Sequence, residues 1–317
     1  MATGMHSSQG FRLLVMVLLG VTVAACGGGG GGSSGGGGGS VQTPAPVDPD
    51  PDTSSPPDLD EWLRQVIVDR GLTGDPATPR QRQQKTPAQD PLIKLGQLLF
   101  FSHTLSGDLT ASCASCHMPD FGGSDSLSLG VGVSPLDASQ VGPPRRLNSL
   151  NDQDPAADGK PNMHRNSQTV FNASLYDRSL SYDGRVFVLD KEVRAGGKGQ
   201  SIRTPETGNL FDVSAADGLL EVFSKFPLTN HNEMRAYLFS SLSEEQYREH
   251  LVARLRGEVD TDFLLPQGRD NWLALFRAAF QQPDADAVDV ITLVNVQRAL
   301  AAYMGSMIFI ESPWKRY

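Results

Sequence analysis

The chain is short of cysteine, of long apolar runs, of basic excess and of strand-like alternation, and each shortage removes a class of explanation. Three cysteines stand in 317 residues, Cys26, Cys113 and Cys116. No second Cys or His pair at short spacing accompanies Cys113 and Cys116, so a four-ligand structural zinc site has no complete ligand set. The N-terminal apolar run, Leu13 to Ala25, is thirteen residues long, short of the roughly 20 that cross a bilayer as a helix. The net charge is −9, and residues 61 to 317 carry 26 bases against 31 acids. A mildly acidic body argues against nucleic-acid binding. No segment alternates as a strand between hairpin turns, and no internal repeat is found, so the body is expected to be mainly α with long irregular connections.

What is present begins with an export signal. Arg12 precedes the apolar run, which reads as the core of a signal peptide spanning residues 1–25. It ends in Val23-Ala24-Ala25-Cys26, which resembles the lipobox read by lipoprotein signal peptidase. Cys26 is then the acylated N-terminus that attaches the chain to a lipid bilayer. Ordinary cleavage after Ala25, leaving a free thiol, is the alternative. Residues 26–57 are Gly-rich and then rich in Pro, Asp, Ser and Thr, a composition that cannot bury a core. They read as a tether, and about 31 flexible residues span on the order of 30 Å. The expected location is the periplasm, on the outer membrane.

The folded domain is expected over residues 58–317. Leu59, Trp62, Leu63, Val66 and Ile67 share one face of a helix ending at Gly71. Asp90-Pro91 opens a second, with Leu92, Leu95, Leu98 and Leu99 at helical spacing, running into Phe100 and Phe101. Residues from Ser102 to about Ser167 are loop-like, which is long for a domain unless something besides apolar packing organises them. Ser243 and Gln246 form a capping box for a helix carrying Tyr247, Leu251 and Leu255. Two more helices are expected, from Asp270 onward with Trp272, Phe276 and Phe280, and from Val288 to about Ile308.

Cys113-Ala114-Ser115-Cys116-His117 lies inside the long loop. This is the C-x-x-C-H spacing in which two thiols form thioethers to haem vinyl groups while the adjacent imidazole takes an axial position on the iron. A thioredoxin-like pair needs a strand before it and a helix after it, and the flanking sequence is wrong for both. A disulfide between the two closes so small a loop that it stabilises little. An organising haem c also accounts for the length of the loop.

Further motifs follow in order: Leu95-Gly96-x-x-Leu99-Phe100-Phe101, Leu105-Ser106-Gly107, the haem motif, Arg165-Asn166-Ser167-x-Thr169-Val170-Phe171-Asn172-Ala173, Tyr182-Asp183-Gly184-Arg185 and Glu233-Met234. Together they resemble the bacterial di-haem cytochrome c peroxidase and MauG family, in its N-terminal haem domain. The resemblance implies a cytochrome c-like haem domain with His117 as proximal iron ligand. It implies Glu233 as the distal acid/base, although read alone Glu233 is a surface acid. A carboxylate in a haem pocket can take a proton from the near oxygen of peroxide and return it to the far one. By the same resemblance Arg185 steadies a haem propionate, Asp183 fixes its turn, and Asn166 helps bind calcium, a turn asparagine being the alternative. Tyr182 stands where the family has a tryptophan between the two haems, which leaves the electron route open.

Where classical members carry a displaceable distal histidine, this chain has Leu129-Gly130-Val131, and valine cannot ligate iron. An open sixth position is therefore expected. The insertion from Val133 to Met163 brings His164 as a competing ligand, while His103 and His231 are pocket candidates. Met118 and Met234 are read as packing groups near the porphyrin, with thioether ligation of the iron the alternative, and His250 as exposed or structural. No second C-x-x-C-H is found, and the tail from Ser312 to Tyr317 resembles the stretch that introduces the second haem domain. The expectation is a truncated product, a fragment, or a one-haem member served by another polypeptide. The expected activity is peroxidase-like reduction of hydrogen peroxide, with electrons from a small cytochrome c or cupredoxin, or oxidation of a substrate through a ferryl haem. The alternative is a non-catalytic monohaem electron carrier.

Overall fold

In the computed structural model, the described residues are 58–72, 85–148, 163–189, 202–208, 210–212, 218–259, 268–311 and 313. The expected signal peptide, Cys26, the expected tether and most of the tail after Glu311 lie outside them. Residues 1–59 and 60–317 form separate units, and the haem motif lies in the second.

Helix α1, Leu59–Asp69, opens with Asp60 and Glu61, acids that favour a helix N-terminus. It closes at Gly71, whose φ of +61° lets the Leu72 amide reach back to the Ile67 carbonyl at 3.0 Å. Its apolar face forms as the periodicity requires, yet no residue of α1 is buried and Trp62 is 53% exposed.

Helix α2, Pro91–Phe101, starts where expected. The Asp90 carboxylate accepts the Leu92 amide at 2.9 Å, and proline occupies the first turn. Leu95, Leu99 and Phe100 are fully buried. Gly96 lets α2 cross α9, Leu293–Gly305, almost backbone to backbone, because a Cβ there would overlap the Ala299 carbonyl. The Phe100 and Tyr303 rings meet edge-on, 5.1 Å apart, at the same crossing.

The helix expected from Val288 to Ile308 is in fact two, α8 over Ala287–Val290 and then α9. The break is at Thr292, which leaves the helical conformation so that its hydroxyl can accept the Asn295 amide at 3.2 Å. Helix α6, Glu244–Arg256, carries the capping box, with Gln246 N to Ser243 Oγ at 3.1 Å and Ser243 N to Gln246 Oε1 at 2.9 Å. It packs with α7, Gly268–Phe280, through Tyr247, Leu251, Trp272 and Phe276. From α6 the buried Arg254 donates to the carbonyls of Thr104 at 2.9 Å and Ser106 at 2.7 Å, tying the helix to the chain entering the haem motif.

Beside the helices the chain forms a few short strands, which the sequence pattern did not mark. A small antiparallel sheet exists, in the order β1 (Ser179–Leu180), β2 (Val186–Val188), β3 (Ile202–Arg203). Leu180, Val186, Val188 and Ile202 cover Leu219 and Val222 of α4, Leu219–Phe223. Strands of two and three residues are too short to show alternation in sequence. Beside them the buried Lys225 ammonium lies 2.7 Å from Asp212 and 2.9 Å from Glu206. Overall the described residues are largely helical with few strands, and the haem motif sits in irregular chain hung between α2 and the small sheet.

Candidate haem site

The motif folds as a single helical turn, α3, Cys113–Cys116. Ser112 and Ser115 start it reciprocally, the Ser112 amide donating to Ser115 Oγ at 3.0 Å with the two hydroxyls 3.3 Å apart. Residues three apart on a helical turn share a side, so the two sulfurs face the same way. Both thiols are free and half-buried. Burial, then the neighbouring thiol, pushes Cys113 up to about 12, and burial, then Asp125, does the same to Cys116. Neutral thiols are the wrong form for a thiolate nucleophile. No strand precedes the turn among the described residues, and only a short 3-10 turn, Pro119–Phe121, comes after it.

His117 ends the turn, its amide 2.9 Å from the Cys113 carbonyl. Its ring Nδ1 lies 2.9 Å from the Gln168 carbonyl. Because that oxygen can only accept, Nδ1 carries the proton and Nε2 keeps its lone pair, the second-shell pattern of a metal-binding imidazole. Burial lowers the His117 pKa, which also favours the neutral ring. Two neutral thiols one turn apart and an oriented imidazole together fit a covalently bound haem c.

Glu233 sits in a π-helical turn, His231–Arg235, of the kind that recurs at functional sites. Asn230 starts it by accepting the Asn232 amide at 2.9 Å and the Glu233 amide at 3.2 Å. Upstream of the haem motif, the Gly107 amide donates to the Met234 carbonyl at 2.7 Å, which sets the turn against the chain leading to Cys113. The Glu233 carboxyl is raised above the usual carboxylate range by burial, with the Arg185 guanidinium opposing. The same carboxylate disfavours ionisation of both thiols. Glu233, Arg185, Cys113 and Cys116 are thus within electrostatic reach around one region.

Arg185 follows β1 and its turn, and is clasped by Asp183: Nε is 3.1 and 2.9 Å from the two carboxylate oxygens and Nη2 is 2.9 Å from Oδ2. Those bonds pull Asp183 down to about 2. Nη1 takes no part in the pair. Tyr182 is 65% exposed. The Arg165 guanidinium stacks over its ring at 3.9 Å and that of Arg185 lies 5.9 Å away.

Other expected residues scatter. Asn166 and His164 are exposed. No group of three His, Cys, Asp or Glu side chains is placed to hold a metal among the described residues. Val131 is buried, its carbonyl 3.7 Å from Cys116 Sγ. Met234 is a core residue and Met118 packs against the same core. His231 is tethered through Nδ1 to the Ala236 carbonyl at 2.7 Å and stacks on Tyr237, and His250 packs on Phe239.

Two functional supports went unread in the sequence. Asp125, fully buried, accepts Ser167 Oγ at 2.9 Å and joins Arg165-Asn166-Ser167 to the region beside Cys116. Arg145, 2% exposed, sits in a Pro- and Gly-containing loop with no periodic signal to mark it.

The model of the di-haem cytochrome c peroxidase family matches residues 90–317. That is more than half of the chain, and the chain belongs to this family. Among relatives, cytochrome-c peroxidase IdrP2 of Pseudomonas sp. (strain SCT) is 35% identical over 95 residues, covering 30% of this chain and 19% of that protein. Cytochrome-c peroxidase IdrP1 of the same strain is 27% identical over 124 residues, covering 39% and 26%. The matched stretches thus span only about a fifth to a quarter of these relatives. A solved MauG-like protein associated with microbial copper homeostasis aligns at 17% identity with a TM-score of 0.37, covering 76% of this chain and 46% of that one.

Proposed function

We propose that the chain is a c-type haem oxidoreductase of the periplasm, held to a bacterial membrane through acylated Cys26, that reduces hydrogen peroxide with electrons from a small cytochrome c or cupredoxin. The observation that carries this reading is the packing of the Glu233 turn against Gly132, next to the Val131 carbonyl that meets Cys116 Sγ at 3.7 Å, with the His117 ring oriented by Gln168. When bound, the haem supplies the redox chemistry. The thiols of Cys113 and Cys116 would fix its edge as thioethers, His117 Nε2 would bind the metal, and the Arg185 guanidinium would steady a propionate.

Glu233 is the proton-handling group. With the haem bound, its carboxylate would take a proton from one oxygen of hydrogen peroxide and return it to the other as the O–O bond breaks, releasing that oxygen as water; two electrons from the donor and two further protons would reduce the remaining oxygen to a second water. Burial suits it to this, because a carboxyl raised toward neutrality both takes and gives protons readily. Tyr182, exposed between Arg165 and Arg185, is the proposed point of electron entry. The electron-carrier alternative needs a methionine or second histidine on the iron. Met234, buried in the core, and Met118, packed against it, favour the enzyme instead.

The test is the optical and spin-state spectrum of the ferric holoprotein with and without peroxide, beside Glu233→Gln. A high-spin form that changes on adding peroxide, with the change lost in the variant, is expected. A low-spin form inert to peroxide would overturn the reading.

A further inference from the structure

The largest fully buried side chain is a cation, Arg145. Its guanidinium donates to five main-chain carbonyls from three stretches of loop: Val131 at 2.7 Å, Gly132 at 2.5 Å, Thr110 at 3.0 Å, Gln140 at 2.9 Å and Ala138 at 3.5 Å. Among the described residues no carboxylate pairs with it directly, although Asp108, Asp125 and Asp137 are near enough to be felt. Burying a guanidinium is costly unless its N–H groups are satisfied, and here the same bonds satisfy carbonyls that an apolar side chain would leave without a donor.

The carbonyls it grips belong to the site. That of Val131 is shared with Cys116 Sγ, at 3.7 Å. Gly132 lies so close to the π-helical turn that a Cβ on it would overlap the Asn232 carbonyl and stand 2.6 Å from that of Glu233. The next amide, of Val133, donates to Asn232 at 3.2 Å. Thr110 is three residues before the haem-binding cysteine. On one flank stands His103, half-buried and close enough to feel the Arg145 charge. His231 lies on the π-helical turn itself, two residues before Glu233, with its Nδ1 2.7 Å from the Ala236 carbonyl.

We infer that Arg145 is a positioning residue: by gripping Val131 and Gly132 it keeps that segment packed on Asn232 and Glu233, holding the carboxyl in place and the flanking histidines His103 and His231 off the iron. The inference rests on the open sixth position proposed above and adds what keeps it open. Lysine would retain the charge but not the fork of five donors.

The test is the ferric spin state of full-length, haem-loaded protein, by optical and electron paramagnetic resonance spectra, for wild type, Arg145→Lys and Gly132→Ala. Gly132→Ala leaves the guanidinium intact while wedging the same two segments apart, and it decides the matter if Arg145→Lys does not accumulate. Wild type is expected to be mainly high-spin, and each variant to convert at least half of its iron to a low-spin form, as a freed histidine binds. Folded variants that melt at lower temperature yet stay high-spin would reduce Arg145 to a stabilising residue and overturn the inference. A low-spin wild type would instead strike the open-site reading itself.

Discussion

The imidazole Nδ1 of His117 lies 2.9 Å from the main-chain oxygen of Gln168, fifty-one residues further along the chain. This one bond orients the ring that ends the haem motif and makes the 165–173 segment a support of the site. The segment is anchored in turn at its far end. Asn172, at φ +61°, donates through Nδ2 to the Phe309 carbonyl at 3.1 Å and accepts the Phe309 amide at 2.7 Å.

Asn172→Ala should therefore cost about 1–3 kcal/mol of stability, from two lost hydrogen bonds and a left-handed backbone that alanine tolerates poorly. Calorimetry of the holoprotein checks it. Because Gln168 lies between the anchors, the variant should also broaden the His117 ring signals in paramagnetic NMR.

Gly96→Ala places a methyl group into the Ala299 carbonyl at the crossing of α2 and α9. Overpacking of this kind typically costs about 1–3 kcal/mol. Chemical denaturation should show a lowered midpoint with the slope unchanged, and no change in haem content.

Glu233→Gln should lower peroxide turnover by about 10²- to 10⁴-fold, the usual worth of a positioned proton-transfer group. The wild-type rate should fall on acidification through a pKa above the ordinary value of a glutamate, since burial raises it. The effect on stability has the opposite sense. A carboxyl with its folded pKa raised favours folding at low pH, and that contribution is lost as pH rises through the window between the unfolded and folded values. The glutamine variant should lack this loss, which melting curves taken at pH values rising from the unfolded glutamate pKa of roughly 4 would reveal.

The Asp183–Arg185 pair titrates the other way. Asp183, pulled to about 2 by the bonds from Arg185, contributes stability above the unfolded carboxylate pKa of roughly 4 and loses it as pH falls toward the folded value. The pair is largely exposed, so Asp183→Asn should cost less than about 1 kcal/mol at pH 7, and less again in high salt. Matched melts in low and high salt check both statements.

Helix starts and the haem motif were legible in sequence because their signals are local. Asp90-Pro91 and the Ser243/Gln246 box act within one helical turn, and C-x-x-C-H carries its chemistry in five residues. What escaped depends on distant partners. The break at Thr292 is a contest between a hydroxyl and a helical amide, which periodicity does not weigh. The face of α1 is plain as a pattern, but amphipathicity says that a face is apolar and not that anything covers it. Arg145 reads as one arginine in a loop, and its role comes from carbonyls as far as thirty-five residues away.

The central claim is that a haem is bonded through Cys113 and Cys116 with His117 on its iron. The most direct measurement is the mass of the mature protein, and of its Cys113–His117 peptide, from cells competent in cytochrome maturation. A single added haem on that peptide, absent when both cysteines are replaced by alanine, is the expected result. A correctly folded protein whose peptide carries no added tetrapyrrole would contradict it.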